Sequence, residues 1–360
     1  MKVNNMLSAY KKLTDFNKTY KNTKRIYQDM QQVYFKHKFK DGVFCPSSEI
    51  YTIAPIFLME RERRGMGNKV VSHTDERQLS LLTYFWGLHV FGTWRNTLGV
   101  YRVDPDIFED IIRSPIPEAT PSNIFKRLPD WCVYFDMPKE AVTFRTEGNK
   151  SVVCDGFWAV LDYDYDANDN HQLVLNIILN IQGKTDTIYD TYQPIRLLID
   201  DGLTVEEAYE KLFIRDFIHN NKKDNERAKK DMQTTKRLLM SLLSMLLWLC
   251  VEEPDISNIK GEPISREDIK KTGVAINKKS GRFVPPSTPV VRELGKRLGG
   301  EVRQYRDWVA KGKPEGEKSF AYKVKPHIRR GHFHGYWKGS GQNKQFEVKW
   351  RYATFVNFST

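Results

Sequence analysis

Four prolines close together constrain the fold of this chain more than any other sequence feature. Pro115, Pro117, Pro121 and Pro129 interrupt one short stretch. A proline inside a helix removes a backbone hydrogen bond and clashes with the preceding turn, so no continuous helix can cross this stretch. The prolines predict a boundary between a mainly helical region, residues 1–120, and a mixed remainder.

Apolar side chains recur at helical spacing before the prolines. In residues 5–40 they alternate with Lys, Asn and Gln, which predicts one or two amphipathic helices with a basic outer face. Residues 75–100 are apolar nearly all round, which predicts a helix packed on several sides. A further helix is predicted near residues 106–113.

β-Branched and aromatic residues follow the prolines. They predict strands at residues 131–135, 156–165 and 171–181, and a turn-forming spacer makes the last two an antiparallel hairpin. A capping box, Thr204 with Glu207, predicts the start of a helix. Residues 289–311 are predicted to be helical.

The longest apolar run, residues 238–251, predicts a buried helix, because it is shorter than the roughly 20 residues of a membrane span. The first residues lack the pattern of a secretory signal. The four cysteines lie far apart without a C-x-x-C pair, which argues against a zinc ribbon or a disulfide scaffold. We therefore expect a cytoplasmic protein without a cofactor or a membrane partner.

Together these patterns predict an α+β fold in three regions. A mainly helical N-terminal region spans residues 1–120. A mixed region with antiparallel hairpins and a buried helix spans 121–318. A basic, aromatic β-hairpin or small sheet spans 319–360 and packs on the core.

Most of the net charge of +12 lies at the C-terminal end. Residues 311–360 contain eleven Lys plus Arg against three Asp plus Glu, a net charge of +8. Such a concentration favours contact with an anionic partner.

Histidines, arginines and aromatic residues cluster within residues 326–338. If this segment is a strand, its side chains alternate between two faces. One face would then carry Arg330, His332, His334 and Tyr336, and the other His327, Arg329, Phe333 and Trp337.

Three interpretations of this cluster stay open. In the first, His327, His332 and His334 are the acid and base groups of a metal-free ribonuclease, with Arg329 and Arg330 stabilising the phosphorane.

In the second, the cluster binds RNA phosphates and stacks bases without chemistry, through Arg329, Arg330, Tyr336, Trp337 and Lys338. In the third, the segment is a half-buried hairpin with structural hydrogen bonds. No metal site is assigned, because the two neighbouring histidines lack a third ligand of clear spacing.

Two further blocks place polar groups beside tryptophan. Arg95 and Asn96 follow Trp94, and Trp131 follows the last proline. As a peptide groove, Arg95 and Asn96 would bond main-chain groups while Trp131 filled a pocket. As core residues, the tryptophans would instead satisfy their indole N–H groups inside the protein, and the usual burial of such aromatics favours this second interpretation.

Seven blocks of the sequence resemble those of a known family: residues 92–101, 128–134, 156–159, 246–255, 276–283, 297–305 and 326–341. In order and spacing they resemble the second family of type V-A anti-CRISPR proteins. Residues 1–90 and 220–236 resemble it less.

The resemblance implies a phage or plasmid protein that lowers the production of a type V-A CRISPR effector nuclease. The effector's N-terminal polypeptide would be recognised during translation, and the effector's mRNA would then be lost. The implied partners are this polypeptide and, in addition, the ribosome, the mRNA or a host nuclease. A binding protein is favoured over an enzyme, with a ribonuclease or an RNA-binding regulator as the alternative.

Overall fold

The computed structural model describes residues 7–20, 22–54, 76–145, 151–165, 170–182, 192, 194–217, 222–271, 274–310, 327–329, 331–341, 344–351 and 354–356. Its helices are α1 (Ser8–Thr19), α2 (Thr23–His37), α3 (Ser47–Ile53), α4 (Glu76–Trp94), α5 (Pro105–Arg113), α6 (Val205–Phe217), α7 (Lys222–Cys250), α8 (Arg266–Lys271) and α9 (Lys296–Ala310), with a 3₁₀ helix at Ser122–Arg127.

The strands in the described residues lie between and after these helices. They are β1 (Gly99–Val103), β2 (Cys132–Asp136), β3 (Val142–Arg145), β4 (Ser151–Tyr165), β5 (His171–Ile181), β6 (Ile195–Ile199), β7 (Ile256–Asn258), β8 (Ala275–Ile276), β9 (Phe283–Val284), β10 (Val290–Leu294), β11 (His327–Arg329), β12 (His332–Lys338), β13 (Gln345–Arg351) and β14 (Thr354–Val356). The fold is α+β, as the sequence predicts.

One mixed sheet organises the molecule, with strand order β6-β5-β4-β2-β1-β10-β7 and β3 on the edge of β4. Strand β1 runs parallel to both of its neighbours, β2 and β10. The remaining pairs of this sheet are antiparallel. The hairpin predicted from residues 156–181 is the β4–β5 pair.

Both faces of the sheet are covered by helices, because strands β4 and β5 are apolar on both faces. On one face, Phe135 and Phe157 pack in a core with α5, α6 and α7. On the other, Tyr134 and Trp158 pack with α1, α2 and α4. The alternation of each strand thus divides its side chains between two cores.

Local sequence signals set several helix starts. Asp104 accepts a hydrogen bond from the Asp106 N–H at 3.0 Å, and Pro105 occupies the first turn of α5. The capping box predicted at Thr204 and Glu207 is present before α6, with reciprocal hydrogen bonds of 2.9 and 3.3 Å.

Residues 238–250 of the apolar run form the buried end of α7. No helix in the described part of the chain is long and apolar enough to cross a membrane. All four cysteines are buried, and none of them is in a disulfide bond. The division into residues 1–120, 121–318 and 319–360 stays a prediction.

Two strands of the central sheet depart from the predicted pattern. Residues 99–103 form β1 at the end of the region predicted to be mainly helical, and residues 290–294 form β10 where a helix was predicted. The helix prediction for residues 289–311 is therefore wrong over its first residues and confirmed from Lys296 onward. These strands pair with each other across a long chain separation, which a local pattern does not report.

Replacement of Gly156 tests the packing of the sheet. A Cβ at this bulge in β4 would lie 2.0 Å from the Phe135 carbonyl oxygen, which is backbone and cannot rotate away. We expect Gly156→Ala to lower the free energy of unfolding by about 3 kcal/mol. Urea unfolding followed by circular dichroism measures it.

The matched control is Gly300→Ala in α9. Apart from its chain neighbours and the backbone of its own helix, no atom lies within 4 Å of the added Cβ, so the change should stabilise the protein by about 0.5–1 kcal/mol through helix propensity. Equal effects of the two substitutions would contradict the packing described for β4.

Candidate functional site

The C-terminal hairpin, formed by β12 and β13, is fixed to the protein through its inner face. Phe333, Phe346 and Val348 are buried, and the Trp350 ring lies 4.9 Å from that of Trp248 on α7. The Phe333 N–H also donates to the Ser114 hydroxyl at 3.1 Å. One side of the hairpin is therefore core, and the other side is left to solvent.

The outer face of this hairpin is basic. His332 lies opposite Arg351, and His334 lies opposite Lys349. Directly opposed residues of an antiparallel pair project from the same face, so these four side chains form a compact array. All four are exposed. The Lys349 ammonium also lies 5.5 Å from the centroid of the Tyr336 ring. We call these five residues the basic outer face.

The predicted alternation of residues 332–338 agrees with this geometry. Tyr336 shares the face of the two histidines, whereas Trp337 projects to the opposite side, is 58% exposed and meets Phe346 edge to face. Lys338 pairs with Glu347 at 3.3 Å. Glu347 therefore partly neutralises the positive charge of Lys338, which is one of the candidate phosphate ligands.

The remaining candidates of this cluster lie at the limit of the described residues. The structure describes the backbone of His327 and Arg329 in β11, which pairs with β14. The side chains of these two residues, and all of Arg330, lie outside the described residues.

Lys349 and Arg351 were not predicted as site residues. Their place opposite the histidines depends on the register of β12 and β13, which starts from the pair Lys338 and Gln345 across the turn. The glycine-containing spacer at residues 338–342 indicated a hairpin in the sequence but did not fix this register.

The array can neutralise anionic oxygens along an extended ligand, because directly opposed residues of neighbouring strands have Cβ atoms about 5 Å apart. An acid–base pair is chemically present in His332 and His334. Both stand on an open face rather than in a pocket, so the geometry favours binding over catalysis.

The first peptide-binding block lies mostly in the core. Trp94 is fully buried, and its indole N–H donates to the Gly99 carbonyl at 2.9 Å. Asn96 is buried as well, accepting a hydrogen bond from Gln31 and donating to the carbonyl of Gly92 at 2.8 Å. These partners give Trp94 and Asn96 the structural role that their burial favours.

Arg95 and Trp131 keep partly exposed side chains. The Arg95 guanidinium lies 5.0 Å from the centroid of the Tyr27 ring, and its burial lowers its pKa while Tyr27 opposes that shift. Trp131 lies 5.0 Å from Tyr34. Tyr27 and Tyr34 are seven residues apart on α2, which separates them by about 10 Å along the helix. The two remaining peptide candidates thus lie along one side of α2.

Trp131 belongs to an aromatic cluster made of Tyr34, Phe35, Phe44, Trp131 and Phe283. The centroid of the Trp131 ring lies 5.0 Å from that of Phe44 and 5.3 Å from that of Phe283. This cluster belongs to the core on the α1, α2 and α4 side of the sheet, whereas the C-terminal hairpin belongs to the core on the other side.

No metal centre is built from the residues that the structure describes. Among them, no group of three or more His, Cys, Asp or Glu side chains is placed to hold an ion.

Comparison with known proteins gives a match to a family model and a match to a solved structure. A family model described as AcrVA2-like, the anti-CRISPR type V subtype A2 family, matches residues 101–358. The crystal structure of AcrVA2 matches with a TM-score of 0.73 and 32% sequence identity, covering 98% of this chain and 100% of that chain. Comparison with the curated proteins gives no match.

Charge reversal on the basic outer face should weaken RNA binding. We expect Lys349→Glu combined with Arg351→Glu to lower the affinity for a single-stranded RNA oligonucleotide by about tenfold or more at low salt. Two lost phosphate contacts should also reduce the slope of log affinity against log salt by about 1.4. Fluorescence anisotropy at several salt concentrations measures both.

The control reverses two exposed lysines on the opposite side of the sheet, Lys11→Glu with Lys24→Glu. It changes the net charge equally and should leave most of the affinity and slope in place. If both double variants weaken binding alike, net charge rather than this face attracts RNA.

Proposed function

Since the chain belongs to the AcrVA2-like anti-CRISPR type V subtype A2 family, we propose that it lowers the production of a type V-A CRISPR effector nuclease. In this proposal it recognises the effector's N-terminal polypeptide as that polypeptide is translated, and the effector's mRNA is then lost. The chain is an anti-CRISPR protein directed at type V-A systems. Its place of action is the cytoplasm of the bacterial host, where translation occurs.

One observation supports this mechanism above the others: two chemically different surfaces lie on opposite sides of the sheet. The basic outer face suits the phosphates of mRNA or ribosomal RNA. The half-buried Arg95 and Trp131 lie beside α2 and suit a polypeptide. A protein with both surfaces can hold a nascent chain and its RNA at the same time.

The loss of mRNA needs a nuclease, because the phosphodiester bonds of the transcript must be broken. The basic outer face offers contact with RNA rather than a pocket for cleavage, so a host nuclease is the partner that we assign to the cleavage step. In this arrangement the anti-CRISPR protein identifies the transcript, and the nuclease destroys it.

A recoded reporter separates recognition of the polypeptide from recognition of the RNA. The first codons of the effector are fused to a fluorescent protein and expressed with or without the anti-CRISPR protein. Synonymous recoding keeps the polypeptide and changes the RNA, whereas a compensated frameshift keeps nearly all of the RNA and changes the polypeptide.

We expect mRNA loss with the synonymous reporter and not with the frameshifted one, as measured by quantitative reverse-transcription PCR. The opposite result would mean that the transcript itself is recognised. Loss with neither reporter would contradict the proposed mechanism as a whole.

A ribonuclease is the second candidate function, and one observation favours it: His332 and His334 share a face with Lys349 and Arg351. Two histidines beside cations could supply the acid, the base and the electrostatic stabilisation of metal-free RNA cleavage. In that case the purified protein would cleave RNA without help.

We expect the purified wild-type protein to leave RNA intact, as gel analysis of a labelled transcript would show. If it does cleave, His332→Ala and His334→Ala should each reduce the rate by about a hundredfold or more while the fold is kept. Cleavage with that loss would establish the ribonuclease and overturn the role assigned to a host nuclease.

A further inference from the structure

The short β8–β9 hairpin holds an apolar side chain in solvent beside the aromatic cluster. Phe283 on β9 is buried in that cluster, with its ring 4.6 Å from Phe35 and 5.5 Å from Tyr34. Ile276 lies directly opposite Phe283 in the register, so both project from the same face. Yet Ile276 is 54% exposed. The buried ring and the exposed aliphatic chain are neighbours on one surface.

Half-exposed rings extend this surface. Tyr34, Phe35 and Trp131 are each partly exposed, and each packs against Phe283. Together with Ile276 they form what we call the apolar ledge. An apolar patch that is rimmed by polar residues is the usual sign of an interaction surface.

A rim of cations borders the apolar ledge at the tip of the hairpin. Lys278 and Lys279 are exposed, and neither forms an ion pair within the described part of the chain. The tip has a defined shape, because the Asn277 side-chain oxygen accepts from the Lys279 N–H at 2.9 Å and Gly281 adopts a left-handed conformation. The cations are therefore held near the ledge and keep their charge available.

Lys36 adds a further cation on the other side of the contact. It follows Phe35 at the end of α2 and is exposed. Because the Phe35 and Phe283 rings touch, the end of α2 that carries Lys36 lies beside the β8–β9 hairpin. The cationic rim thus has contributions from both elements that build the ledge.

We infer that the apolar ledge and its cationic rim bind a peptide segment that carries an apolar anchor flanked by carboxylates. The anchor would cover Ile276 and the half-exposed rings, and the carboxylates would pair with Lys278 and Lys279. The inference rests on the proposed function in one respect, since Trp131 is shared with the peptide surface proposed there. It adds the chemistry of the partner and the elements that hold it.

RNA fits this surface less well than a peptide does. Base stacking needs an open aromatic face, but Tyr34 already has ring neighbours at 5.0 Å in Trp131 and 5.2 Å in Phe44. The most exposed apolar group of the ledge is aliphatic. An aliphatic side chain is better covered by another apolar side chain.

The probe is a fluorescein-labelled peptide in which leucine and glutamate alternate, titrated against the full-length protein and followed by anisotropy. A second peptide replaces glutamate by lysine. We expect saturable binding of the acidic peptide and at least tenfold weaker binding of the basic one.

Substitutions locate the site on the apolar ledge. Ile276→Asp should weaken the acidic peptide by about tenfold or more, because it removes an apolar contact and adds a repelling charge. Its matched control is Ile259→Asp, another exposed isoleucine that follows β7. Val284→Asp is a control within the hairpin itself, since Val284 projects from the face opposite to Ile276. Neither control should change the affinity by more than about twofold.

Charge reversal tests the rim. Lys278→Glu with Lys279→Glu should weaken the acidic peptide by about tenfold or more, whereas Lys260→Glu, beside the control isoleucine, should not. All these side chains are exposed, so thermal melting should stay unchanged and confirm that each variant folds.

Several results would overturn the inference. They are no binding of the acidic peptide, equal binding of both peptides, or equal loss in Ile276→Asp and Ile259→Asp. Binding of a single-stranded RNA that only Ile276→Asp abolishes would assign the ledge to nucleic acid. Self-association that only Ile276→Asp abolishes would assign it to a second copy.

The proposed function is tested separately from the peptide binding inferred for the apolar ledge. The recoded reporter tests whether the effector's polypeptide is recognised, and it makes no use of the acidic probe. A positive reporter with no probe binding would refute the ledge alone, and a negative reporter with probe binding would refute the proposed function alone.

Discussion

The burial of β4 and β5 on both faces is the constraint from which the rest of the structure follows. A sheet whose central strands are apolar on both sides needs a cover on each side, and α5, α6 and α7 supply one while α1, α2 and α4 supply the other. Two elements outside these covers also present surfaces to partners. The C-terminal hairpin and the β8–β9 hairpin are such elements, each fixed by one apolar face and open on the other.

Local patterns were enough to predict the elements whose signals are local. The β4–β5 hairpin, the capping box at Thr204 and the shared face of His332 and His334 all follow from periodicity or short spacing. Long-range pairing was not predictable in this way. β1 and β10 pair across most of the chain, and the Lys349 and Arg351 positions required a register that no single strand contains. Whether a contact could be predicted therefore depended on how far apart its residues lie in the sequence.

Tryptophan beside polar residues illustrates a second limit. The same local pattern fits an exposed indole that can bind a partner and a buried indole whose N–H is hydrogen-bonded within the core. Trp94 proved to be of the second kind and Trp131 stays half-exposed. What separates them is their place relative to the sheet, since Trp94 ends a helix that covers it, whereas Trp131 lies just before β2, at the margin of the aromatic cluster. Burial, rather than residue type, decides which candidate remains accessible.

The parallel position of β1 has a consequence for how the protein is made. Its neighbour β10 is translated long after β1 has left the ribosome, because Gly99 pairs with Val290. Until β10 is made, one edge of β1 has no strand with which to form hydrogen bonds. The central sheet therefore cannot be completed before that point. A protein that is proposed to intercept another chain during synthesis thus completes its own central sheet only after β10 has been made.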